Sequence, residues 1–393
     1  MTERIGAYVH IPFCSAVCPY CDFAVVAGRD DQLERYLAAV VLEIRRDRPW
    51  KPLDSIYFGG GTPSRMPPSM LGEIISALAE HHGIASGAEI SLEANPEDFD
   101  DSTGDALVES GFNRISFGAQ SFDNNILLQL GRRHDANQIS RAVDTARTAG
   151  FENVSIDLIY GTPGETDRSW LATLDHAVAC GPDHVSCYAL TVEPGTPLGR
   201  EVKAGAPAPD ADVQADRFEM ADRVLGSAGL SRYEVSNWAR PGRECVYNST
   251  VWAQGEYVAY GNSAHRFRDR VRSRNLSRLD GYLAAVEEGR PAVAAEETAL
   301  VGAELEIDRL FVGLRRSIGA DAGSGGRVLL ESPDGERLLA AGVISVTDRW
   351  IRVDRPLLTD EVLRSVLALD PGSIERAMTV EHREIPDNVL GNA

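Results

Sequence analysis

Tyr8-Val-His-Ile-Pro-Phe-Cys-Ser-Ala-Val-Cys-Pro-Tyr-Cys-Asp22 runs straight out of the strand-like segment Gly6–Ile11 and sets Cys14, Cys18 and Cys21 in a C-x3-C-x2-C array. Three thiolates on one short loop can hold three irons of a [4Fe–4S] cluster and leave the fourth iron open to a small molecule. The residues leave two other readings. Three cysteines with His10 make a Cys3His set for structural zinc. A disulfide fits less well, because the chain has six cysteines, a tight cluster of three and no signal-peptide pattern, which points to a reducing cytoplasm.

Composition bounds the rest. A chain of 393 residues with 43% hydrophobic content can bury a large core, as two domains or one large barrel with an appendage. No apolar run approaches the roughly 20 residues that cross a bilayer. The formal charge of −20 argues against a protein that grips nucleic acid by neutralising phosphates.

Working outward from the cysteines, short β-branched or aromatic runs alternate with helix-patterned stretches, which predicts βα units around a parallel sheet. Strands are expected at Gly6–Ile11, Ser55–Phe58, Glu89–Glu93, Arg114–Phe117, Val154–Ile159 and His184–Leu190. Helices are expected at Gln32–Asp47, Ser69–His82, Ser102–Ser110, Ala136–Ala149 and Arg168–Cys180. About six repeats, against the eight of a full TIM barrel, predict an α/β fold with a partial, six-stranded barrel over residues 1–203. Residues 204–290 read as a flanking segment that opens on the linker Ala204–Asp210. Residues 291–370 read as a small C-terminal helical or winged domain, and residues 371–393 as a mobile tail.

Each expected strand ends in polar or glycine-rich sequence: Gly59-Gly-Gly-Thr-Pro63, Glu93-Ala-Asn-Pro96, Gly118-Ala-Gln-Ser121, Asp157 with Tyr160-Gly-Thr-Pro163, and Thr191-Val-Glu-Pro-Gly195. In a parallel barrel these ends share one face, so they converge on the cysteine loop.

The cysteine spacing, with Tyr20 before the last ligand, resembles the radical S-adenosylmethionine (SAM) enzymes. The stretches Tyr8–Phe23, Phe58–Pro63, Ser91–Pro96, Asn113–Phe122, Ser155–Pro163 and His184–Leu198 are together similar to the anaerobic coproporphyrinogen III oxidase group. That resemblance implies a [4Fe–4S] cluster on Cys14, Cys18 and Cys21 that passes one electron to SAM and releases a 5′-deoxyadenosyl radical. It implies SAM contacts at Tyr8, Gly60, Gly61, Thr62, Glu93, Gln120, Arg132 and Asp157, with Tyr20 beside the adenine. Carboxylates suit ribose hydroxyls or an ammonium, arginine suits a carboxylate, and glycines allow close backbone approach. A flavodoxin or ferredoxin is the implied electron donor, and a homodimer is compatible with it.

Two branches share these motifs. One oxidatively decarboxylates coproporphyrinogen III, and the other is a heme chaperone that hands heme to an acceptor protein. Phe23 stands where the oxidase carries a further cysteine, and only Met1–Gly6 precede the first strand; both features resemble the chaperone branch, the reading expected here. The chaperone's His-Asn-x-x-Tyr-Trp motif is altered, however, to Tyr247-Asn-Ser-Thr-Val-Trp252. Tyrosine, cysteine and histidine can all ligate heme iron, which makes Tyr247, Cys245 and His265 the candidates for a heme site.

Overall fold

A computed structural model describes residues 4–379. Six parallel strands appear where the patterns place them: β1 (Gly6–Ile11), β2 (Leu53–Gly60), β3 (Ile84–Ala94), β4 (Arg114–Gln120), β5 (Asn153–Tyr160) and β6 (His184–Ala189). They lie side by side in chain order. The helices α1 (Leu33–Arg46), α2 (Pro68–His81), α3 (Asp101–Glu109), α4 (Ala136–Ala149) and α5 (Asp167–Ala179) alternate with them.

Local chemistry sets these elements. Helix α1 buries Tyr36, Leu37, Val40 and Ile44, the 3–4 spacing of one helix face. Helix α4 starts at a capping box between Asp135 and Gln138 and stops at Gly150, whose φ of 105° suits glycine. Along the strands, the apolar residues Val154, Ile156 and Leu158 join the core under the helices. The alternate residues Ser155 and Asp157 instead meet polar groups of neighbouring strands, with hydrogen bonds to His184 and to Ser116 and Ser186.

The sheet is wider than expected. Twelve strands form one mixed sheet, and its end strands, Ser231–Arg232 and Val293–Glu296, pair with nothing further among the described residues. Helix α6 (Ala211–Ser227) leads to β7 (Asn237–Ala239), which adds antiparallel to β6. Helix α7 (Val246–Trp252) leads to β8 (Tyr257–Tyr260), which pairs in parallel with β1. The antiparallel strands β9 (His265–Arg268) and β10 (Val271–Asn275) follow, then helix α8 (Leu279–Glu287) and the edge strand β11 (Val293–Glu296). The segment 204–290, read as flanking the barrel, therefore shares the main sheet, and its Leu225, Trp238, Val258 and Tyr282 belong to the main core.

The C-terminal region is helical and has a core of its own, including Leu310, Leu329, Ile351, Val362 and Ile374. It comprises α9 (Gly302–Gly313), α10 (Gly323–Leu330), α11 (Pro333–Ala340) and α12 (Thr359–Leu367), with a three-stranded antiparallel sheet that includes β12 (Ile344–Thr347) and β13 (Trp350–Val353). The expected tail is corrected at its start: Pro371–Thr379 forms helix α13. Ile374 is fully buried there, and the Glu375 carboxylate accepts from the Ala303 N–H at 2.8 Å. One buried residue in nine leaves no periodicity to read. The rest of that expected tail, 380–393, lies outside the described residues. No helix among the described residues is long and apolar enough to cross a membrane.

Candidate active site

The cysteine loop leaves β1 and is tied at both ends. The Val26 N–H donates to the Pro12 carbonyl at 2.8 Å, and Phe13-Cys14 pairs in parallel with Val26-Ala27. Buried His10 sits with Nδ1 3.2 Å from the Tyr8 hydroxyl and Nε2 3.0 Å from the Ala24 carbonyl. Both ring nitrogens are thus committed, one within β1 and the other to the loop's exit, and His10 is not available to complete a Cys3His zinc set. All six cysteines are free thiols.

Cys14, Cys18 and Cys21 line one cavity of about 400 Å³ at the carboxyl ends of the parallel strands. Tyr20, Gly60, Gly61, Thr62 and Glu93 line it too, as do Gln120, Arg132 and Asp157. Eleven expected residues, counting the cysteines, thus meet in one place. Tyr8 stands behind the wall, its ring stacked on Tyr57 at 6.3 Å.

Hydrogen bonds connect the thiols to the strand ends. Arg132 donates to the Asn95 side-chain oxygen at 2.6 Å and lies 3.5 Å from the Cys18 sulfur. Asn95 donates in turn to the Thr62 hydroxyl at 3.2 Å, and that hydroxyl donates to the Cys14 sulfur at 3.6 Å. Glu93 accepts from the Tyr57 hydroxyl at 2.8 Å and from the Gly60 N–H at 3.1 Å. Asp157 accepts from Ser116 at 2.9 Å and from Ser186 at 2.6 Å. Burial, with Asp157 nearby, raises Glu93 to about 7, and burial likewise raises Asp157. Burial opposes the charge on Arg132, but Tyr20 and Cys18 outweigh it and hold the guanidinium above its ordinary value.

The glycine turn has a different reason from the one read in the sequence. The N–H groups of Gly60, Gly61 and Thr62 are engaged by Glu93, Ile11 O and Phe13 O, so they are not free for a ligand. Gly60 has φ 111°, and a Cβ there would stand 2.4 Å from the His10 ring; one on Gly61 would lie 2.8 Å from the Ile11 carbonyl oxygen. These glycines let the turn press against the base of the cysteine loop.

The donors fit the groups that the motifs imply. A thiolate-bound cluster takes hydrogen bonds at its sulfurs, which Arg132 and Thr62 supply, and the Arg132 Nε is buried without a partner. Among the described residues, no three His, Cys, Asp or Glu side chains are gathered closely enough to hold a metal ion. A cube of four irons spreads its ligands wider than a single ion does.

Sequence reasoning missed Asn95, Ser116 and Ser186 as partners, and Arg114, His184 and Asn248 deeper in the cavity. Arg114, Ser116, His184 and Ser186 follow from strand alternation once one inward residue per strand is known; Asn95 lies just past the end of β3, and Asn248 comes from helix α7. That helix packs on β1 and β2 near Gly6 and Ser55, at the end opposite the mouth, and forms a floor.

The three candidate heme ligands do not come together. Cys245 is fully buried, its thiol 3.6 Å from Glu89. Tyr247 is packed among Tyr57, Tyr8 and Tyr257, with ring centroids 5.4, 6.0 and 5.7 Å away. His265 opens β9 and is exposed.

The radical SAM superfamily profile matches residues 8–177. The chain is 36% identical to the heme chaperone HemW of Mycobacterium tuberculosis over 93% of this chain and 95% of that protein. It is likewise 36% identical to the HemW of Lactococcus lactis, over 80% of this chain and 82% of that protein. Among solved structures it resembles the coproporphyrinogen III oxidase HemN of Escherichia coli, with a TM-score of 0.79 and 24% identity, over 93% and 90% of the two chains. That last likeness speaks for the fold.

Proposed function

Because the chain belongs to the radical SAM superfamily, in the HemN/HemW family of heme and porphyrin metabolism, we propose that it is a cluster-bearing, SAM-binding heme chaperone. The observation that carries this reading is the near end-to-end similarity to HemW proteins.

Cys14, Cys18 and Cys21 hold the cluster in this proposal, and Glu93, Gln120, Arg132 and Asp157 receive SAM, with Tyr20 beside its adenine. When bound, the cluster supplies the electron that cleaves the sulfonium. Arg132 offers its guanidinium to a carboxylate and steadies the Cys18 thiolate. Glu93 meets an ammonium once it is ionised, and the serines hold Asp157 in place. Heme, an electron donor and a heme acceptor are the proposed partners.

A second reading, the oxidative decarboxylation of coproporphyrinogen III, is favoured by the geometry of the mouth itself. The cavity under the cysteine loop gathers Glu93, Gln120, Arg132 and Asp157 beside the three thiols, a setting suited to radical chemistry on a bound substrate, while Cys245 and Tyr247 lie outside its lining. Anaerobically reconstituted full-length protein distinguishes the two. Hemin binding followed by transfer to an apo-acceptor, with no protoporphyrinogen formed from coproporphyrinogen III, is expected. Sustained porphyrinogen turnover overturns the chaperone reading in favour of the oxidase. Cys18→Ala is expected to lose the cluster chromophore and most of its iron with little change in melting temperature, since the loop lies outside the core; full iron content would refute the ligand set.

A further inference from the structure

We propose that His265 is the axial ligand of the heme and that Arg274, directly across the β9–β10 pair from it, anchors a heme propionate. This rests on the chaperone reading above and gives it a site that the altered motif around Tyr247 does not provide.

Availability singles out His265. Seven of the chain's eight histidines fall among the described residues. Six have a ring nitrogen in a hydrogen bond: His10 to Ala24, His81 to Asp47, His82 to Tyr260, His134 to Glu97, His176 to Ala172 and His184 to Ser155. Among the described residues, neither nitrogen of His265 has such a partner, and its side chain is exposed. A neutral imidazole with a free nitrogen is an ordinary heme ligand.

Its surroundings suit a dianionic macrocycle. Arg274 is exposed and forms no ion pair or hydrogen bond among the described residues, so its guanidinium is free for a carboxylate. Arg272 shares that face but is already paired with Asp308 at 2.6 Å and lies over the Phe267 ring. Partial burial first, and then Arg274 and Arg272, lowers the imidazole below its ordinary value, while Glu297 acts in the opposite sense. The position is also apt. Strand β9 begins three residues after Asn262, whose side chain reaches the Ala24 carbonyl at 3.5 Å, the same carbonyl that His10 holds at the exit of the cysteine loop. Heme seated here lies on the antiparallel extension of the sheet beyond β8 rather than at the floor formed by α7.

The test is hemin titration of reconstituted full-length protein, followed by Soret difference spectra and electron paramagnetic resonance. Wild type is expected to bind with histidine-type ligation. His265→Ala should weaken binding about tenfold or more and change the spectrum, and added imidazole should restore it. Arg274→Gln should weaken binding several-fold with the ligation spectrum unchanged, while Tyr247→Phe should leave the spectrum as it is. Wild-type binding that His265→Ala leaves unaltered overturns this assignment alone. No hemin binding by wild type overturns the chaperone reading together with it.

Discussion

Asn95 joins two halves of the mouth, receiving Arg132 and donating to Thr62, which reaches Cys14. Asn95→Ala leaves Arg132 without its shortest hydrogen bond. A lost bond to a charged group is worth about 1.5–3 kcal/mol, so SAM affinity is expected to fall roughly tenfold or more while iron content holds. Calorimetric titration with SAM checks this, and unchanged affinity removes Asn95 from the site. Glu93 makes a second prediction at this scale. Its folded pKa of about 7 stands above the ordinary 4.5, so ionisation penalises the fold, beginning above the lower value and complete above the higher one. An ammonium bound beside it relieves the penalty. SAM affinity is therefore expected to rise as pH goes from 6 to 8, and Glu93→Gln should flatten that rise; a wild-type profile already flat would contradict the assigned contact.

At the scale of elements, the turn after β2 and the loop after β1 are built against each other. Gly60→Ala puts a methyl group into the His10 ring from a backbone conformation that disfavours side chains, a strain of about 1–3 kcal/mol. The expected result is a lower melting temperature together with reduced cluster loading, because displacing His10 frees the Ala24 end of the loop. Normal loading in a destabilised variant would uncouple the two. Elements also show where patterns stop being readable. Helix α10 begins Gly323-Ser-Gly-Gly326, residues that oppose helix formation in isolation. Packing overrides them: a Cβ on Gly326 would lie 2.8 Å from Ile351, and one on Gly325 would lie 3.2 Å from Glu306. Helix α7, seven residues with Thr250 alone fully buried, carries too little periodicity to announce a helix.

Across the whole molecule, the C-terminal region docks on the main sheet through a few polar contacts around the floor helix. Asp308 of α9 receives Arg272 of β10 at 2.6 Å and Gln254, just after α7, at 2.8 Å. Arg315 lies 5.3 Å from the centre of the Trp252 ring, and Ser317 bonds to the Tyr233 carbonyl. Asp308→Ala removes a mostly buried carboxylate and leaves Arg272 and Gln254 without their acceptor, for an expected loss of about 1–3 kcal/mol. Scanning calorimetry should show the C-terminal region melting earlier or as a separate step; an unchanged profile would mean that apolar contacts alone hold the two cores together.

The cysteine array, the six parallel strands and most of the cavity lining were legible in the sequence, because strand ends follow from local turn chemistry and parallel βα units place those ends on one face. Cys14, Gly60, Glu93, Gln120 and Asp157 needed only that rule to meet. The placement of Tyr247 in the floor, of His10 as a clamp and of His265 as an exposed imidazole with no hydrogen-bond partner was decided by the tertiary structure alone. Whether a side chain is free or committed depends on partners distant in the chain, such as Tyr57 against Tyr247, and local pattern carries no information about contacts of that separation.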